Sequence, residues 1–191
     1  MSIILLLLRL PILVVHILVG LFTILFFPKE PKNFKNSHYR IMMLWMNILS
    51  SILGIKVDIR GIPDQSANLF VSNHVTYLDI IIINKLLPVN FIAKEEISSW
   101  PVIGRLASKT GTLFIKRGDN VESSKMIYEM EERFKLQNKI VFFPEGKIGN
   151  GKRVRKFHYK LFKSIENKEL YIQPIAIRYP TGYPMNNNYS E

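Results

Sequence analysis

A long apolar run at the head of a chain has few places to go. From Met1 to Phe27 the chain is almost wholly apolar, and the run is broken by the ionisable side chains of Arg9 and His16 and by Pro11. The run is long enough to cross a bilayer or to lie deep in one leaflet, and the sequence predicts a membrane segment. A cleaved signal peptide would carry a basic residue before the run and a small-x-small site after it, and neither is present. Lys29, Lys32, Lys35 and Arg40 follow, with Glu30 the one acid among them. Such a flank stays on the cytoplasmic side, so the rest of the chain is expected on the cytoplasmic face of a membrane. Arg9 is expected to snorkel to an interface, and His16 to pack as a neutral residue against a neighbouring helix.

The remainder of the 191-residue chain has room for one domain with its own core. Pro28 to Asn36 reads as a surface connection. From Ser37 to Leu53 the residues Ile41, Met42, Leu44, Trp45, Ile48, Leu49, Ile52 and Leu53 keep helical spacing, and Gly54 is placed to end the helix. Its apolar side suits a bilayer or the domain core equally. Beyond Gly54, strand-like runs at Ile55–Ile59, Leu69–Ser72, Asn90–Ala93, Thr112–Ile115, Ile140–Phe143 and Tyr171–Ile177 alternate with helical stretches. The clearest of these is Asn120–Gln137, with Ile127, Met130 and Phe134 on one face. Alternation of this kind predicts an α/β fold with a largely parallel sheet flanked by helices, preceded by two N-terminal membrane-associated helices. The expected domains are 1–54, the anchoring helices and basic linker, and 55–191, the α/β unit.

Charge narrows the partners. Lysine and arginine number 26 against 15 acids, a formal excess of +11, which favours anionic phosphates or headgroups. With an anchor in place, nucleic acid is not an expected partner. The chain has no cysteine, which excludes a thiol nucleophile and cysteine-ligated metal.

Three segments can carry chemistry. Asn73-His74-Val75-Thr76-Tyr77-Leu78-Asp79 lies where a strand passes into a helix, the place where α/β proteins build sites. Five residues apart, His74 and Asp79 fall roughly 140° from one another on an ideal helix and cannot pair there. They pair if His74 sits in the turn, and Asp79 then holds one ring nitrogen while the other accepts a proton, the arrangement of a general base. By itself the spacing equally fits a hydrogen-bonded histidine beside a helix-capping Asn73. Gly111-Thr112-Leu113-Phe114-Ile115-Lys116-Arg117 delivers two cations at a strand end, and the Arg117 guanidinium is the better phosphate ligand because it can bond two oxygens in parallel. Val141-Phe142-Phe143-Pro144-Glu145-Gly146 is a buried strand running into a glycine-bearing loop that lets backbone amides approach a ligand. From Lys147 to Lys163 there are seven lysines or arginines and no acid, interleaved with Val154, Phe157, Tyr159, Leu161 and Phe162. That mixture suits an anionic membrane surface, an acidic carrier or an ordinary basic face.

In order and approximate spacing, NHVTYLD, GTLFIKR, FFPEG and YIQPIAIRY resemble the four motifs of glycerolipid acyltransferases of the lysophosphatidic acid acyltransferase type. The resemblance runs from about Leu44 to Tyr179. It implies transfer of a fatty acyl group from acyl-CoA or acyl carrier protein, as co-substrate and with no other cofactor, to the free hydroxyl of a lysophospholipid. The first acceptor implied is 1-acyl-glycerol-3-phosphate, giving phosphatidic acid in phospholipid biosynthesis. An amino-acid-containing lysolipid, or a catalytically weak lipid-binding protein on the membrane surface, stays open. Position by position, the resemblance makes His74 the base and Asp79 its orienting partner, with Lys116 and Arg117 at the acceptor's phosphate. It also places Glu145 and Gly146 at the acceptor and Pro174 in a supporting strand, and Lys147 is expected at the acceptor as a replacement for a cation that the motif otherwise carries. Two departures stand out. Lys147, Ile148 and Gly149 replace the threonine and arginine-type residues that commonly follow the glycine of the third motif, and the chain ends soon after the fourth, as a truncated form would. The oxyanion donor is expected among backbone amides near Gly146.

Overall fold

The computed structural model describes residues 3–30, 33–116, 120–149, 153–166 and 168–180. Two antiparallel helices lead the chain, α1 (Ile3–Thr23) and α2 (Asn36–Ile52). A five-stranded sheet follows: β1 (Ala67–Ser72), β2 (Val89–Lys94), β3 (Leu113–Ile115), β4 (Lys139–Phe142) and β5 (Tyr171–Ile175). Helices α3 (Leu78–Leu86), α4 (Ile103–Lys109) and α5 (Asn120–Lys135) connect the first four strands, and a 3-10 segment, Tyr159–Ile165, lies before the fifth. The strand order is β3-β2-β4-β1-β5 and every pairing is parallel, as the alternation predicts.

A central parallel strand is covered on both faces and needs apolar side chains on both. Along β1 and β4, Phe70 and Val141 face a cluster with Ile83 of α3 and Leu87 just past its end, while Leu69, Ile140 and Phe142 face Met126, Met130 and Phe134 of α5. The buried stripe of α5 starts one residue earlier than the pattern predicts, at Met126 in place of Ile127. Successive helical residues are about 100° apart, so a shift of one position turns a side chain off the core. Phe162 also turns inward, its ring edge-on to Phe142 at 5.2 Å, whereas Val154, Phe157 and Tyr159 stay exposed.

Residues 55–60 are not a strand, contrary to the sequence expectation. Ile55, Val57 and Ile59 alternate correctly, but the segment only carries the chain from α2 to the start of β1, and an alternating pattern becomes a strand only where a neighbour supplies the ladder. The N-terminal helices divide their roles. Only α1, over Leu7–Phe26, is long and apolar enough to cross a membrane among the described residues. Helix α2 commits Tyr39, Met42 and Leu49 to the interior and packs on α3, while Ile41, Leu44 and Ile48 are exposed. The Tyr39 hydroxyl donates to Asn90 Oδ1 at 2.9 Å, and burial pushes its pKa up to about 12, so it remains a neutral donor at physiological pH. His16 stacks on Trp45 at 4.5 Å and its Nε2–H donates to the Trp45 carbonyl at 3.1 Å, while Trp45 Nε1 returns a bond to His16 O at 3.2 Å. The reciprocal pair clamps α1 to α2. Arg9 lies over the end of α2, where a Cβ at Gly54 would come within 2.8 Å of its Nη1, so its guanidinium meets a helix C-terminus.

The turn Glu95–Ser99 and α4 approach so closely that a Cβ on Gly104 would lie 2.3 Å from the Ser98 carbonyl oxygen. Backbone cannot yield as a flexible side chain does, so Gly104→Ala is expected to cost about 3 kcal/mol. In detergent this should read as a thermal midpoint lowered by roughly 6–12 °C.

Candidate active site

In a doubly wound sheet, sites form outside the carboxyl ends of the strands where successive connections leave in opposite directions. From β1 the chain passes through α3 to β2 on one side, and from β4 it passes to β5 on the other, and β1 and β4 are neighbours. The turn carrying His74 follows β1, and Phe143-Pro144-Glu145-Gly146 follows β4. Hydrogen bonds join the two loops, with Gly149 N donating to His74 O at 2.7 Å.

His74 sits in the turn ahead of α3, and Asp79 in the first turn of that helix. Nδ1 of His74 is 2.8 Å from Asp79 Oδ2, and the carboxylate can only accept, so Nδ1 carries the hydrogen, and in the neutral ring the lone pair is on Nε2. The same oxygen accepts from Val75 N at 2.6 Å and Thr76 N at 3.0 Å. These bonds give a fully buried carboxylate the partners it needs. The His74 ring lies flat on Phe143 at 3.9 Å and 12°, so the β4 loop fixes its plane and shields it from water. Asn73 does not cap α3. Its amide donates to Ile177 O at 2.9 Å and its carbonyl accepts from Ile177 N at 2.8 Å.

One participant closes the motif YIQPIAIRY, yet the local sequence does not indicate its partner. The Tyr179 hydroxyl donates to Asp79 Oδ1 at 2.6 Å and lies 3.2 Å from Thr76 Oγ1. No pattern around Tyr179 announces this, because the contact spans a hundred positions and exists only once β5 lies beside β1. Glu145 is buried, and its Oε2 accepts from Arg155 N at 2.9 Å, while His158 N donates to Pro144 O at 2.8 Å. Together these bonds tie the basic stretch to the β4 loop. Gly146 takes a left-handed φ of 68°, and its amide is used on Phe143 O at 2.9 Å. The amides of Gly146 and Gly149 are thus engaged and do not serve as oxyanion donors in this conformation. Lys147 is exposed beside them.

Lys116 is exposed at the carboxyl end of β3, and Arg117 lies outside the described residues. Since β3 stands three strand positions from β1, Lys116 is on the same edge as His74 but about 14 Å along it. Pro174 occupies edge strand β5 opposite Val71, where a residue lacking an N–H is tolerated. A separate groove of about 440 Å³, whose lining includes Lys29, Lys109, Thr112 and Arg133, contains none of these residues.

A parallel α/β sheet with a histidine–carboxylate pair at its switch point has the makings of a proton-transfer site, which defines a class of enzyme site without naming its substrate. The sequence model of the family described as Acyltransferase matches residues 55–178, and the chain belongs to that family. A lyso-ornithine lipid O-acyltransferase of Pseudomonas aeruginosa is 35% identical over 140 residues, 73% of this chain and 54% of that protein. A 1-acyl-sn-glycerol-3-phosphate acyltransferase of Neisseria gonorrhoeae is 30% identical over 147 residues, 76% of this chain and 57% of that protein. The chain therefore spans about half the length of the curated relatives it matches. Among solved structures, the 1-acyl-sn-glycerophosphate acyltransferase PlsC of Thermotoga maritima shares the fold, with a TM-score of 0.56 and 19% identity over 70% of this chain and 55% of that one.

Proposed function

We propose that this protein transfers a fatty acyl group from acyl-CoA or acyl carrier protein to the free hydroxyl of a lysophospholipid, as a step of phospholipid biosynthesis. The observation that carries the reading is the His74–Asp79 pair at 2.8 Å, set at the switch point of a chain that belongs to the Acyltransferase family. His74 Nε2 takes the proton of the acceptor hydroxyl as its oxygen bonds to the thioester carbonyl carbon. The tetrahedral intermediate then collapses, the C–S bond breaks, and the imidazolium returns the proton to the departing thiolate. Asp79 keeps Nδ1 protonated and stabilises the imidazolium that forms. No acyl-enzyme is needed.

The leading acceptor is 1-acylglycerol-3-phosphate, its phosphate held by Arg117 with Lys116 beside it, and its glycerol near Glu145, Gly146 and Lys147. A second reading takes a lyso-ornithine lipid as acceptor, and is favoured by the relative at 35% identity that bears that name and by Lys147-Ile148-Gly149 in the third motif. The two readings separate in one assay. Membranes carrying the protein are given each lysolipid with a labelled acyl thioester, and wild type is compared with Arg117→Ala. If the acceptor is the phosphate, the substitution raises its KM about tenfold or more, the worth of one charge-assisted bond. If the acceptor is the amino-acid lipid, wild type acylates that lipid alone and the phosphate-bearing lipid gives no product.

The lipid acceptor lies in a bilayer, and residues 1–54 are placed to hold the catalytic unit, 55–191, against it. Helix α1 supplies the anchor, and Ile41, Leu44 and Ile48 of α2 give it an exposed apolar neighbour. The basic flank from Lys29 to Arg40 supports a site on the cytoplasmic face, where thioester donors are available.

A further inference from the structure

The ladder between β1 and β5 ends at the pair Ser72 and Ile175. One residue past that end, Asn73 continues it with its side chain, accepting from Ile177 N at 2.8 Å and donating to Ile177 O at 2.9 Å. Only a side-chain amide can supply both halves of this exchange, since a carboxylate lacks the donor and an aliphatic chain lacks both. The clamp holds the chain two residues short of Tyr179, whose hydroxyl then reaches Asp79 Oδ1 at 2.6 Å. The carboxylate has no hydrogen to offer, so the tyrosine hydrogen goes to Asp79. The Thr76 hydroxyl, 3.2 Å away, in turn donates to the tyrosine oxygen, while Thr76 Oγ1 accepts from Leu78 N at 2.9 Å.

We infer that Tyr179, held in place by Asn73, is a positioning residue that fixes the Asp79 carboxylate toward His74. The inference rests on the reading of His74 as general base. Its physical content is orientation: a hydroxyl bonded to Oδ1 holds the carboxylate so that Oδ2 stays on His74 Nδ1–H. Without the hydroxyl, the carboxylate is freer to rotate about its own axis, which reduces the fraction of His74 that is aligned. Among the described residues, the titratable side chain hydrogen-bonded to the pair is Tyr179. Phe143, stacked on His74, is uncharged, and Glu145, further along the β4 loop, is bonded to the backbone of Arg155.

Tyr179→Phe in the full-length protein, assayed in vesicles, is expected to lower kcat about tenfold while the KM values of donor and acceptor stay within about twofold. Asn73→Leu releases the clamp without touching the His74–Asp79 pair and should lower kcat in the same way, again with little change in the KM values. In an Asp79→Asn background, Tyr179→Phe should add less than about a twofold loss, since its effect runs through the carboxylate. An unchanged kcat in both Tyr179→Phe and Asn73→Leu, an effect confined to KM, or a full additional loss on top of Asp79→Asn would overturn the inference. His74→Ala, run alongside, separates the two levels. If it is inactive while Tyr179→Phe matches wild type, the positioning role alone falls; if it is as active as wild type, the general-base reading falls and the inference with it.

Discussion

His74→Ala lowers acyl transfer by about 10³-fold or more, with the protein still folded and bound to membranes. A well-placed general base contributes about 10²–10⁴-fold, and alanine leaves no group to take the proton of the attacking hydroxyl. The fold should survive because the buried Asp79 carboxylate keeps other donors, Val75 N and Thr76 N on Oδ2 and the Tyr179 hydroxyl on Oδ1. A buried charge left without any donor would destabilise strongly, and this one is not so left. Rates of labelled diacyl-lipid formation, together with thermal midpoints in detergent, check both halves of the expectation. A rate loss accompanied by a large drop in midpoint would show a structural role for His74 instead.

Asp79→Asn has the next largest effect, about 10²-fold or more in kcat, and here the bond pattern decides which property is lost. Oδ2 accepts three hydrogens and Oδ1 one, so the asparagine carbonyl oxygen takes the Oδ2 position and preserves the bond to His74 Nδ1–H. Its amide group then faces Tyr179, whose oxygen can accept in place of donating. The histidine tautomer is kept and only the charge that stabilises the imidazolium disappears. kcat should therefore fall while the KM values hold, as expected for an interaction stronger in the transition state than in the ground state. An Asp79→Asn protein with unchanged kcat would remove Asp79 from the reaction.

Much of this site could be read in the chain because its parts are local. The five-residue spacing from His74 to Asp79 forbids pairing on one helix, which places the histidine in the turn, and the structure has it there. Apolar runs such as Leu69–Ser72 and Ile140–Phe143 locate central strands because strands covered on both faces must be apolar throughout. Once the sheet is parallel, the segments after β1, β3 and β4 share an edge. What the chain did not disclose are relations between distant segments. Tyr179 and the Asn73 clamp exist only because β5 returns beside β1, and nothing near either residue encodes that neighbour. The run Ile55–Ile59 shows the converse, a local pattern with no partner. Arg117, the phosphate ligand that the motif resemblance implies, lies outside the described residues, so its part rests on the KM assay.

The central claim is that a thioester is consumed only by acyl transfer to a lysolipid, through direct attack assisted by His74. The most direct measurement follows thiol release and diacyl-lipid formation together, in vesicles containing the wild-type protein, with and without lysolipid. The account predicts no thiol release without an acceptor and one thiol per diacyl product when lysophosphatidate or a lyso-ornithine lipid is present. Thiol release that proceeds without lysolipid, or no diacyl product from any lysolipid by a folded protein that still binds the vesicles, would contradict it.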